Sequence, residues 1–262
     1  PAIGAMLGGV IVQYSHWRES FLLLMLAACF ALACLYLALP ETKQGAYLKM
    51  SPGEFSNVVC RVVEDKNLVL NGTIIGLGLG ILYAFMSEGS FYCIDNLKWS
   101  TQAYGMICAA GSLAYAIGCR LSDQMIQIGV SFQRVMRLGT GVMLLSYITL
   151  LTLLMCHSRS SSTAWLSVGQ VDLAFSGLWT LSCLGLSFVL TPCFANALER
   201  QKENAGVAAS TLAFIYNIIS ATVNIVITYL HSSERLRMPM IFLVIVCVFF
   251  SNPTFKIRNV TL

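Results

Sequence analysis

Apolar residues run along this chain in blocks too long and too unbroken for the core of a water-soluble domain. Stretches nearly free of charge cover approximately residues 1–15, 20–39, 68–87, 100–119, 138–156, 173–195, 205–230 and 238–251. A helix needs about 20 apolar residues to cross a bilayer, so the pattern predicts about eight transmembrane helices, the first incomplete and the last short unless Asn252 to Phe255 extend it. Phe21 to Leu39 holds no charged residue and meets Pro40, which cannot continue an unbroken helix cheaply. Most connections are short. The one at 40–67 is long and mixed in charge, with Lys43, Lys49, Arg61 and Lys66 beside Glu41, Glu54, Glu64 and Asp65, and it divides two helices from six.

Within the apolar blocks, small residues recur at intervals of four. Pro1, Gly4, Gly8 and Gly9 open the chain, Gly72, Gly76 and Gly80 follow in the third block, and Gly206 precedes Ser210 in the seventh. Such spacing lets two membrane helices approach backbone to backbone. Chain start is predicted to fall within a helix, as at a cut end, because there is no initiating Met and no basic segment leading to a short apolar core.

Composition agrees with a lipid environment: 57% of the 262 residues are hydrophobic and 11% are charged, against roughly a quarter charged in soluble domains. The net charge of +4 does not form a basic stripe, so nucleic acid is not an expected partner. It carries topology instead. With 40–67 in the cytoplasm, that side holds Lys43, Lys49, Arg61, Lys66, Arg120, Arg134, Arg137, Arg200, Lys202, Lys256 and Arg258. The outside then holds Arg18, Lys98, Arg159, Arg235 and Arg237, the last two opposing the rule. The ten cysteines form no Cys-x-x-Cys pair and read as small packing residues. His16, His157 and His231 fall in predicted outer loops without ligand spacing, so no metal is expected. Phosphate-loop and hydrolase motifs are absent, which argues against an enzyme and against ATP as the energy source; no cofactor is expected.

Two helices, a long cytoplasmic loop and six helices resemble helices 5 to 12 of the major facilitator superfamily. Pro1, Gly4, Gly8 and Gly9 match the second half of the antiporter motif of helix 5, although Ala5 stands where that motif prefers Gly or Pro. Trp17-Arg18 before a helix closing in Leu39-Pro40-Glu41-Thr42 looks like helix 6 of the bicyclomycin and chloramphenicol branch of drug:proton antiporters. The segment from Tyr83 to Ser87, continuing through Phe91 to Tyr104-Gly105, is similar to that branch's helices 7 and 8, and Ala195-Asn196-Ala197 with Ala205 to Ser210 to its helices 10 and 11. Gly118-Cys119-Arg120-Leu121-Ser122-Asp123-Gln124 looks like a degraded loop motif, with Arg120 and Asp123 retained as the candidates to organise a cytoplasmic loop.

The resemblance implies an all-α integral membrane bundle of major-facilitator type, N-terminally truncated. In its terms 1–39 are the last two helices of the N-terminal half, 40–67 the inter-half loop, 68–251 the six-helix C-terminal half and 252–262 a cytoplasmic tail. The family's acidic residue for proton coupling commonly lies in helix 1, which is not in this chain.

Polar side chains inside a membrane helix need a partner or water, which makes them candidates for function. Ser210, Asn217 and Asn224 recur at seven, with Ser220 and Thr228 in the same broad stripe. Asn217 and Asn224 on that helix, Asn71, Thr73 and Tyr83 in the third block, and Gln102 and Tyr115 in the fourth are the candidates for a substrate cavity. Asp172 and Glu88 are the candidates for carrying a proton. The expected function is proton-coupled multidrug efflux of a drug-like small molecule across a bacterial inner membrane. Alternatives are an importer or facilitator for a small metabolite, or a truncated membrane protein that transports nothing. Expected partners are the lipid bilayer, protons, and the missing N-terminal half or a protein that completes the bundle.

Overall fold

A computed structural model describes residues 2–38, 51–159, 168–199, 201, 205–229 and 237–251. Pro1, the tail 252–262, all of 39–50, His231, and Arg200, Lys202 and Arg235, whose charges with those of Lys43 and Lys49 helped to set the predicted orientation, lie outside the described residues. The elements, in chain order, are α1 (Ala2–Tyr14), α2 (Trp17–Ala38), α3 (Pro52–Glu64), α4 (Lys66–Phe91), a π-helical turn (Tyr92–Asn96), α5 (Thr101–Gln127), α6 (Phe132–Arg159), α7 (Val168–Leu198), α8 (Ala205–Tyr229) and α9 (Arg237–Ser251). Among the described residues no strand occurs. Six of the helices (α2, α4 to α8) are long and apolar enough to cross a membrane, while α1 and α9 are apolar but shorter.

Three boundaries differ from the expectation. The connection at 40–67 carries α3, an amphipathic helix whose Val62 is buried and whose neighbouring elements are α4 and α8. The fourth span does not stop near residue 119. It continues to Gln127 and is ended by Gly129 at φ 90°, with Ile128 N–H on the Gln124 carbonyl at 3.0 Å and Val130 N–H on Met125 at 2.9 Å, which satisfies carbonyls left open at a helix end. Arg120 and Asp123 therefore lie on a helix, both exposed, and not in a loop. The fifth span begins at Phe132, so only a tight turn separates it from α5.

Helix α7 is the hub, packed against α4, α5 and α6. Lipid offers no hydrophobic drive between helices, so close backbone approach and dense contact hold them together. At the α6–α7 crossing, a Cβ on Gly185 would stand 2.8 Å from the Gly139 carbonyl oxygen. Aromatic rings fill the end of the bundle where α4 finishes. Phe85 stacks on Trp179 with ring centroids 3.6 Å apart, Phe175 and Tyr104 flank Phe85, and Phe242 of α9 meets both Trp179 and Tyr147. The Tyr104 hydroxyl donates to the Phe85 carbonyl at 2.7 Å, tying α5 to α4.

By contrast α2 buries nothing: Phe21, Leu24, Phe30, Leu32 and Tyr36 all stand exposed on it, and it touches only α1 substantially. The α1 helix joins the rest through α5. There Gly9 and Gly105 meet, so that a Cβ on Gly9 would lie 2.9 Å from the Thr101 carbonyl oxygen and one on Gly105 2.7 Å from that of Ala5. Gly4 and Gly8 meet nothing within 4 Å, which corrects the expected seam: it runs through Ala5 and Gly9, the adjacent register with the same spacing. Gly206 likewise has open space and packs against nothing.

Candidate functional site

Among the described residues helix α8 packs chiefly against α4, with smaller contacts to α3 and α7. Its Leu212, Ile215, Ile219 and Val223 seat on Gly72, Gly76 and Gly80 of α4, where a Cβ would come within 3.0, 2.7 and 2.8 Å of Ile215, Ile219 and Val223. The missing side chains on α4 thus draw α8 close and leave its opposite side open. That open side presents Phe214, Asn217, Ile218 and Ile225, all exposed. Asn217 turns its amide back to the Ala213 carbonyl at 2.8 Å and Asn224 turns its own to Ser220 at 2.8 Å, so each satisfies its helix while keeping an oxygen outward or toward a neighbour.

Polar groups link α4 and α8 near the end where both finish. The Ser87 hydroxyl, bonded to the Tyr83 carbonyl at 3.0 Å, sits 3.4 Å from Asn224 Oδ1. One turn on, Thr228 Oγ1 donates to Glu88 Oε1 at 2.9 Å. Tyr83 is exposed beside them, and Tyr115 of α5 lies near it. The structure therefore brings Tyr83, Asn217, Asn224 and Glu88 to one open α4–α8 face, with Tyr115 adjoining it.

Other candidates lie elsewhere. Asn71 is 1% exposed; its amide donates to the Asn67 carbonyl at 2.8 Å and to Asn67 Oδ1 at 3.1 Å. Thr73 bonds back to Val69 at 2.8 Å and lines a separate cavity of about 440 Å³ at the α3–α4 elbow, with Val63, Glu64, Lys66, Val69 and Leu70. Gln102 belongs to the α1–α5 crossing, its Cα beside Gly9, and not to the α4–α8 face. Asp172 is half-buried on α7 within electrostatic range of Cys93, apart from the face that holds Glu88.

Sequence reasoning missed two pairings. Thr101 Oγ1 donates to Gln13 Oε1 at 2.7 Å across α1 and α5, and Asn67 Nδ2 donates to the Asn196 carbonyl at 2.8 Å across α4 and α7. Asn67 and Asn71 stand four apart, and that spacing was the available signal for the second. Among the described residues no group of His, Cys, Asp and Glu could hold a metal ion.

The general model of the Major Facilitator Superfamily matches residues 1–224. An "Uncharacterized transporter" of Rickettsia felis is 28% identical over 239 residues, 88% of this chain and 56% of that protein. One of Rickettsia bellii is 29% identical over 252 residues, 94% of this chain and 60% of the relative. A "Bicyclomycin resistance protein homolog" of Haemophilus influenzae is 21% identical over 259 residues, 96% of this chain and 60% of that protein. The chain thus spans under two thirds of the length of these relatives. With a family model covering most of its length and, among the described residues, a helical bundle with six helices long and apolar enough to cross a membrane, the chain belongs to the Major Facilitator Superfamily of transporters.

Proposed function

We propose that this chain is the C-terminal part of a proton-coupled multidrug efflux antiporter working by alternating access in a bacterial inner membrane. The observation that carries the reading is the open α4–α8 face, where Tyr83 and Phe214 offer aromatic surface and Asn217 a hydrogen-bonding amide among aliphatic side chains. A surface of that character suits bulky amphipathic solutes, which bind through apolar area and a few placed polar groups. The likeness to a bicyclomycin resistance homologue in Haemophilus influenzae supports efflux over uptake. In this reading helices of the transporter other than those described form the other wall, and the two halves rock about the midplane.

Glu88 is the favoured proton carrier within the chain, because Thr228 holds its carboxylate on the same face as the substrate groups. Asp172 is the second candidate. The Lys and Arg count assigns the start of α4 to the cytoplasm and Glu88 to the outer side, where an incoming proton would arrive.

Accumulation of a fluorescent drug in cells expressing the transporter tests this. Expression is expected to lower accumulation, and a proton uncoupler to restore it. The Asn217→Ala variant is expected to lower drug transport about tenfold, the effect of removing one buried hydrogen-bond partner from a bound solute. Uncoupler-insensitive equilibration of the drug would instead indicate a facilitator.

A further inference from the structure

At the opposite end of the bundle from Glu88, the start of α4 and the end of α7 are fastened by a compact set of amides. Asp65 caps α4: its Oδ1 accepts from Asn67 N–H at 2.9 Å. Its second oxygen, Oδ2, accepts from Gln201 Nε2 at 2.9 Å, just beyond α7. Asn67 Nδ2 donates to the Asn196 carbonyl at 2.8 Å, one of the last four carbonyls of α7 and so without a partner in its own helix. Asn196 Nδ2 returns toward Asn67 Oδ1 at 3.4 Å. The N-terminal cap of one helix and the C-terminal cap of the other are thus the same cluster.

Two further observations bear on whether this fastening can release. First, α7 contains Pro192, buried, which supplies no N–H and crowds the carbonyl one turn earlier, so the helix bends readily there. The segment Cys193 to Leu198, which the amides hold, is the short lever beyond that joint. Second, Asn71 Oδ1, one turn along α4, is buried and has no hydrogen-bond partner. A buried amide oxygen left without a donor is rare in a resting structure. It stands beside the very side chain that grips α7, since Asn71 Nδ2 already meets Asn67 Oδ1 at 3.1 Å.

We infer that Asp65, Asn67, Asn71, Asn196 and Gln201 form a two-position latch on the α7 lever. In the latched position Asn67 Nδ2 caps the Asn196 carbonyl and Asn71 Oδ1 goes unsatisfied. When the lever swings out about Pro192, the Asn196 carbonyl meets water and Asn67 Nδ2 turns to Asn71 Oδ1. The latched position keeps the amide contacts with α7 but leaves Asn71 Oδ1 without a donor, and the released position gives up those contacts and satisfies Asn71; a small difference between two such sets of bonds is what a bistable element requires. Because the latch governs how α7 moves, it operates whichever solute is carried and whichever ion drives it.

The test reads the lever directly. Cys193 is fully buried just past Pro192, whereas Cys183 is buried on α7 before it. Membranes bearing the protein are treated with N-ethylmaleimide and the modification of each cysteine is followed by peptide mass. Asn67→Ala is expected to raise the Cys193 rate about tenfold, the weight of the lost amide bonds, with Cys183 unchanged. Asn71→Leu, which keeps the volume but removes the acceptor for the released position, is expected to hold the Cys193 rate at or below that of the parent. The inference fails if Asn67→Ala leaves Cys193 unaltered, if Cys183 rises in step with it, or if Asn71→Leu exposes Cys193 as Asn67→Ala does.

Discussion

Gly139→Leu is expected to abolish correct packing of the bundle. A Cβ at this position falls on the carbonyl oxygen of Gly185 and lies 2.7 Å from Phe188 Cβ, so it meets backbone and a side-chain root with no rotamer to escape by. Helix α7 cannot retreat, because Leu186 and Leu190 on its other side press on Gly78 of α4 and Cys183 and Leu184 press on Gly111 and Gly118 of α5. Overpacking of a well-packed core costs about 1–3 kcal/mol. A clash between two helix backbones falls at the top of that range or beyond it, and even Gly139→Ala introduces the offending atom. Gly141, two residues on, has nothing within 4 Å of its would-be Cβ, so Gly141→Ala is expected to be neutral or to add up to about 1 kcal/mol from helix propensity. Thermal denaturation of the detergent-purified protein compares them. Equal melting of Gly139→Leu and Gly141→Ala would remove the α6–α7 crossing as a backbone-to-backbone joint.

Trp179→Ala is expected to be the most damaging truncation of a side chain. Trp179 is 5% exposed, stacks on Phe85 with the rings 16° from parallel, and also meets Phe242, so one indole joins α7, α4 and α9. Removing it leaves a cavity whose walls are rings held from several helices and unable to collapse together. Such truncations lose about 3–5 kcal/mol. In lipid that loss is chiefly one of dispersion contact, since the apolar surface released does not face water. Trp179→Phe retains the stack and is expected to recover roughly half. The same denaturation assay reads both, and a Trp179→Ala protein that melts with the parent would show that the aromatic cluster is incidental.

The spans were legible because lipid imposes a length and a polarity that few other environments demand. Legibility was also good for the α4 seam, since Gly72, Gly76 and Gly80 leave a groove whatever faces them. At the chain start the same rule was ambiguous: Gly4 with Gly8, and Ala5 with Gly9, share one spacing on adjacent faces, and only the partner helix chooses between them. Asn71 misled because a lone amide in an apolar helix suggests a water-filled cavity, while its true partners were Asn67 on its own helix and, through it, Asn196 far along the chain. Helix α3 was hidden by its neighbourhood. Its valines at 58, 59, 62 and 63 have helical spacing, but charged residues on both sides read as a loop. The end of α5 was placed too early because Gly118 and Arg120 looked like a boundary, whereas the glycine that stops the helix is Gly129, the residue with positive φ.

In the proposed reading solute passes along the open α4–α8 face. The most direct measurement is water access to a single position on it in native membranes, comparing Asn217→Cys with Leu145→Cys on the exposed apolar side of α6. Each is treated with a charged, membrane-impermeant thiol reagent and read by peptide mass against the native cysteines. The account predicts rapid modification at 217, slowed by a transported drug, and none at 145. Equal inertness at both positions would place Asn217 against lipid or protein and contradict a pathway along α8.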